Sequence, residues 1–155
     1  MARIDNQFHY GIRVPDIEAT MADMSAGLGV SWCQLQERNQ PVWTPDKGAH
    51  TVELRFTYSM DGPMHIELLQ GASGSIWNGD DRTGMHHTGI WCDSVAESTE
   101  QMIGAGWTLL AASLPPEQGY GAFAYVQSPD GLIVEPVTSA AKPMFDRWFA
   151  GGPLG

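Results

Sequence analysis

Phe8-His9-Tyr10-Gly11-Ile12 recurs further along the chain as His86-His87-Thr88-Gly89-Ile90. A repeated segment decides the architecture before any propensity is consulted, because it makes the chain two copies of one supersecondary unit. The same elements follow outward from each copy. Pro15-Asp16 opens a helix with Asp16 as N-cap and Ile17, Met21, Met24 and Leu28 at helical spacing, ending at Gly27 or Gly29. Ser94-Val95-Ala96-Glu97 has the form of a capping box and opens the second helix, which stops near Gly104-Ala105-Gly106. Strands are expected next, over 31–36 in the first copy and 107–112 in the second.

Each copy then reads as a hairpin. The stretch from Thr51 to Tyr58 alternates apolar and polar residues, Met60-Asp61-Gly62-Pro63 turns it, and His65-Ile66-Glu67-Leu68-Leu69 returns. In the second copy Phe123-Ala124-Tyr125-Val126-Gln127 enters Ser128-Pro129-Asp130-Gly131 and leaves as Leu132-Ile133-Val134-Glu135. Pro presets φ near −65° and Gly accepts positive φ, which suits such a turn. The first copy carries the longer connection, around 38–50, expected to form a lid or pocket wall. These readings give an α+β fold: two paired β-α-β-β-β modules forming a curved mixed sheet around a metal-binding cleft. Module one spans 5–70, a Gly/Ser/Asp-rich linker 71–85 and module two 86–138, all inside one domain over 1–140. The remainder, 141–155, is a tail with a short helix expected over 143–149.

With 155 residues and 43% hydrophobic content the chain is sized for one core, and disorder is excluded as its main state. A formal charge of −10 repels phosphate backbones and anionic headgroups, so neither nucleic acid nor a membrane surface is an expected partner. No apolar run is long enough for a span, which points to a soluble, cytoplasmic protein. Cys33 and Cys92 form no metal or redox spacing and read as core residues.

Four residues of ligand type fall at equivalent places in the two copies. Strand alternation puts His9 with Gly11, and His87 with Gly89, on the face away from the helix. Glu67 interrupts Ile66-Leu68-Leu69 and Glu135 interrupts Leu132-Ile133-Val134. A lone His or Glu on a strand is most often a satisfied core or surface residue. Two carboxylates inside apolar strands are expensive to bury, and a shared cation offsets that cost. Imidazole with carboxylate suits zinc, nickel, cobalt, iron(II) or manganese.

The paired modules, the His-x-Gly openings and the Ser128-Pro129-Asp130-Gly131 turn before Glu135 resemble the vicinal oxygen chelate superfamily, which includes glyoxalase I, methylmalonyl-CoA epimerase, extradiol dioxygenases and bleomycin-resistance proteins. The resemblance implies that His9, Glu67, His87 and Glu135 are the metal ligands. The register and the equivalence to His9 favour His87 over His86. The leading expectation is a metal-dependent isomerase, epimerase or glyoxalase-like lyase that moves a proton beside a carbonyl of a small, apolar, metal-chelated substrate, with Glu67 or Glu135 as base. An extradiol-type dioxygenase is the enzymatic alternative, and Glu67 as a fourth ligand argues against it. A non-catalytic small-molecule binding or resistance protein is the third reading, and leaves the four ligand-type residues unexplained.

Trp91, Tyr125, Phe123, Arg55 and His65 are the substrate-pocket candidates, Arg55 for a substrate carboxylate and His65 because it shares a face with Glu67. Arg55 pairing with a surface acid is the commoner outcome for such a residue. A homodimer is expected, because relatives commonly assemble across a twofold and the apolar tail residues Phe145, Trp148 and Phe149 need a cover. Docking of the tail on its own subunit is the alternative.

Overall fold

Asp16 caps the first helix with its carboxylate, accepting from the Ala19 N–H at 3.0 Å, and Gly29 ends it at φ +68°, so α1 runs Ile17–Leu28. Ser94 accepts from the Glu97 N–H at 3.1 Å and starts α2, Val95–Gly104. Local capping chemistry fixes both helices where the sequence placed them. The computed structural model describes residues 2–80 and 84–155. The end of the expected linker, with Arg82, lies outside the described residues.

The strands are β1 Gln7–Arg13, β2 Gln36–Thr44, β3 Gly48–Tyr58, β4 His65–Gly71, β5 Gly84–Cys92, β6 Thr108–Ala112, β7 Ala124–Gln127 and β8 Ile133–Thr138. Both modules are β-α-β-β-β, and in both the first strand pairs in parallel with the last, β1 with β4 and β5 with β8. The fold is α+β with mixed sheets. The chain divides into two compact units that do not follow the modules end to end: one holds Met1–Phe8, Pro41–Thr51 and His87–Lys142, the other His9–Gln40, Val52–His86 and Pro143–Gly155.

In the unit containing His9, β4 lies between β1 and β3, with Gly11 opposite Glu67 and Tyr58 opposite Glu67. One face of this sheet packs under α1 through Val14, Ile17, Leu68, Ile12 and Ile66. Helix α3, Lys142–Phe149, realises the expected tail helix. It covers the other face: Trp148 meets the edges of Phe56 at 5.8 Å and Tyr58 at 5.4 Å, and Phe149 stacks on His65 at 3.7 Å. Trp148 is thus buried, and Phe145 and Phe149 half-buried, against their own chain, the docking given above as the alternative to a dimer cover. Trp148 is 0% exposed and its indole N–H has no acceptor among the described residues. Its contribution is packing, so Trp148→Ala should cost roughly 3–5 kcal/mol and Trp148→Phe much less, read by urea unfolding.

In the unit containing His87, β8 lies between β5 and β7, and β6 pairs with β7 and with β2 at Trp43 opposite Ala112. Helix α2 packs through Val95 on Ala112, Ala124 and Val126. The Ser128-to-Gly131 turn closes as expected, with Gly131 at φ +96° and its N–H on the Ser128 carbonyl at 2.9 Å.

One expectation for module one is corrected. The expected strand over 31–36 does not form: over 31–35 there is no ladder, only an isolated bridge between Trp32 and Ser59, and the Trp32 indole turns to α1 and donates to the Met21 carbonyl at 3.1 Å. The strand is β2, and the connection over 38–50, read as a lid or pocket wall, is the β2–β3 hairpin, turning at 45–47 into Gly48 at φ +68°. The linker packs closely where it is described: Trp77 is buried, and a Cβ on Gly79 would meet the Val14 backbone at 2.6 Å. Cys33 and Cys92 are free and buried, as read.

Candidate metal centre

A histidine two residues before a glycine, and a glutamate opposite that glycine on a parallel strand, is the arrangement in each unit. His9 precedes Gly11, which pairs with Glu67; His87 precedes Gly89, which pairs with Glu135. Equal register on alternating strands sends each His and Glu to the same face of its sheet, the one turned from the helix. The result is one contact formed twice. His9 Nε2 lies 3.1 Å from Glu67 Oε2, and His87 Nε2 lies 3.0 Å from Glu135 Oε2. His9 and His87 are 0% and 1% exposed, and both glutamates are buried.

Each histidine also rests on the edge of a tyrosine. His9 meets Tyr58 at 5.0 Å with planes 67° apart, and His87 meets Tyr125 at 4.8 Å and 68°. Tyr58 pairs with Glu67 directly. Tyr125 faces Glu135 by the register that joins Val126 to Val134 and Phe123 to Val137. Tyr125 was among the pocket candidates and Tyr58 was not: Tyr58 lies 9 residues before Glu67 and Tyr125 lies 10 before Glu135, so a fixed shift between the hairpins sets Tyr58 against Val126 and misses the match.

Of the other candidates, His65 pairs with His9 across β1 and β4 and so shares its face. Its Nδ1 lies 2.7 Å from the Ser59 carbonyl, which assigns the ring proton to that nitrogen, and burial holds its pKa below the ordinary value. Phe123 packs on Tyr125 at 5.7 Å, and Trp91, two residues past Gly89, stacks on Phe8 at 3.8 Å. Arg55 does not join them. It alternates with Phe56 and Tyr58 and therefore points to the α1 side, where it pairs with Glu37 at 2.9 Å and Glu18 at 3.0 Å. Exposed pairs of this kind are worth about 0–1 kcal/mol, so Arg55→Met should leave both stability and metal content nearly unchanged.

Each unit thus offers one imidazole nitrogen and one carboxylate, His9 with Glu67 and His87 with Glu135, all four buried and of the residue types that ligate divalent metals. The pair distances of 3.1 and 3.0 Å also fit. Ligands about 2.1 Å from one ion stand roughly 3.0 Å apart when their bonds meet at right angles.

Residues 8–125 match the family model described as Glyoxalase/Bleomycin resistance protein/Dioxygenase superfamily. No curated protein sequence matches the chain. Among solved structures it is similar to Streptomyces coelicolor methylmalonyl-CoA epimerase in complex with 2-nitronate-propionyl-CoA, at 19% identity and TM-score 0.58, over 88% of this chain and 98% of that one. Methylmalonyl-CoA epimerase from Mycobacterium tuberculosis is similar at 14% identity and TM-score 0.58, over 92% and 93%. A mutant of 4-hydroxymandelate synthase from Streptomyces coelicolor matches at 16% identity and TM-score 0.55, over 86% of this chain and 37% of that one. At these identities the likeness is one of fold.

Proposed function

The chain belongs to the Glyoxalase/Bleomycin resistance protein/Dioxygenase superfamily, and from that premise we propose that it is a metal-dependent isomerase, epimerase or glyoxalase-like lyase acting beside a carbonyl of a small substrate. The observation that carries this reading is the His–Glu pair repeated in identical register, His9 with Glu67 and His87 with Glu135. The four residues are the proposed ligands of one divalent ion. When bound, such an ion supplies Lewis acidity at a substrate oxygen, which stabilises the enolate as charge develops there.

The chain's own groups supply the rest. Glu67 or Glu135 takes the proton from the carbon beside the carbonyl and returns it, and a carboxylate in apolar surroundings is more basic than one in water. Tyr58 and Tyr125 hold the imidazole rings by their edges. The aromatic cover of α3 over Tyr58 keeps water from the Glu67 side. The epimerases among the similar structures favour the epimerase branch. Eight Lys and Arg against eighteen Asp and Glu are a thin supply for gripping the phosphates of a coenzyme A tail.

The test begins with metal analysis of protein purified without an affinity tag. The reconstituted protein is then incubated in D2O with 2-substituted acyl thioesters and hemithioacetals. Deuterium entering at the carbon next to the carbonyl is the expected result. Oxygen consumption with catechols and no exchange with either class would replace this reading by the dioxygenase one.

A further inference from the structure

In the ladder of β1, β4 and β3, Glu67 has Gly11, which carries no side chain, on one side and the ring of Tyr58 on the other. Helix α3 adds to the Tyr58 side. Phe145 and Phe149 lie one turn apart on that helix, 5.9 Å from each other, and meet the Tyr58 ring at 5.5 and 5.7 Å. Phe149 also stacks on His65 at 3.7 Å, and His65 stands in register with His9. The two phenylalanines are therefore one ring away from the proposed ligands by two routes. Tyr58 links them to Glu67, its partner in the ladder, and to His9 at 5.0 Å; His65 links Phe149 to His9.

Burial divides the aromatic residues of α3 into two kinds. Trp148 is 0% exposed and seats the helix on Phe56 and Tyr58, whereas Phe145 and Phe149 stay half-buried and keep apolar surface that a ligand can cover. Arg13, the last residue of β1 and on the Glu67 face by alternation, turns to the linker, its Nη1 on the Ile76 carbonyl at 3.3 Å. A substrate chelated to an ion on His9 and Glu67 has its reacting carbon close to Glu67, and a substituent of that carbon meets the next rings out. We infer that Phe145 and Phe149 are specificity-determining residues of the proposed reaction: their rings receive the substituent on the carbon beside the carbonyl, which makes the substrate a carbonyl compound bearing an alkyl or aryl group there. This deepens the metal-dependent reading and rests on it.

The experiment uses two probes with the same metal-chelating head and different apolar ends, acetohydroxamate and hexanohydroxamate, titrated into the metal-reconstituted protein. Hexanohydroxamate should bind roughly 10-fold or more tightly, about the gain from burying two methylenes. Phe145→Ala and Phe149→Ala should each cut that preference about 3-fold or more and leave acetohydroxamate binding little changed. Should either alanine protein fail to fold, Phe145→Leu and Phe149→Leu carry the same test with a smaller cut. Arg55→Met, on the α1 side of the sheet, should retain the whole preference. Equal binding of the two probes by the unaltered protein would leave the metal reading standing and overturn the aromatic wall. An unchanged preference in the variants of both phenylalanines would overturn it as well, and so would a parallel loss of both probes, which marks the rings as packing elements. If neither probe binds the unaltered protein, the metal reading fails and the wall falls with it.

Discussion

His9→Ala and His87→Ala proteins should each lose metal and activity together. Both rings are fully buried, with a glutamate oxygen at 3.1 or 3.0 Å and a tyrosine packed edge-on against each. Alanine removes the nitrogen donor and leaves a hole, and the partner carboxylate stays buried. His65 cannot replace His9, because its Nδ1 is engaged with the Ser59 carbonyl and its ring is stacked on Phe149. The loss of metal affinity should exceed the roughly 10–100-fold that follows when only an outer-shell partner of a ligand is changed. Elemental analysis after dialysis, with exchange activity assayed in parallel, reads both effects. His65→Ala serves as the comparison and should retain its metal. Unchanged metal content in both His→Ala proteins would put the site elsewhere and bring the sequestration reading forward.

The parts of this molecule that were legible in its sequence are those set by chemistry between near neighbours. Asp16, Ser94, Gly29 and the Ser128-to-Gly131 turn act within a few residues of themselves, and each does in the structure what its local chemistry dictates. The repeat made the rest of the architecture readable, since His9 and His87 locate each other and the glutamates follow from the returning strands. What failed was information carried across strands. Segment 36–40 of β2 reads Gln-Glu-Arg-Asn-Gln and is followed by Pro41, a polar run ahead of a residue that cannot donate to a ladder. Nothing local marks it as a strand; its place beside β3 does.

Two arginines show the same division. Arg55 sits in a cleanly alternating strand and drew attention as a substrate anchor, yet the alternation itself assigns it to the face opposite Glu67 once Tyr58 is known to oppose Glu67. Arg38 belongs to the strand the sequence hid, and its position over Phe56 has no local signature. The tail helix was legible as a helix from the spacing of Phe145, Trp148 and Phe149. Its destination, the aromatic cluster around Tyr58, required the fold.

Glu67→Gln and Glu135→Gln should separate the metal-holding role of the carboxylates from the proton-moving one. Glutamine keeps an oxygen donor and nearly the same volume, but carries no negative charge and cannot accept the proton. Both glutamates oppose a glycine on the parallel strand and a tyrosine on the antiparallel one, so their frameworks are alike, and a difference between the variants would reflect role rather than packing. At least one variant should retain metal and lose roughly 10²–10⁴-fold in turnover, the usual contribution of a positioned general base, and that position is the base. The second should lose more metal than turnover per bound ion, because a ligand that does not move protons acts through occupancy alone. Deuterium exchange normalised to metal content separates the two. If both Gln proteins bind metal and exchange at the unaltered rate, proton transfer belongs to some other group, and the repeated carboxylates serve the metal alone.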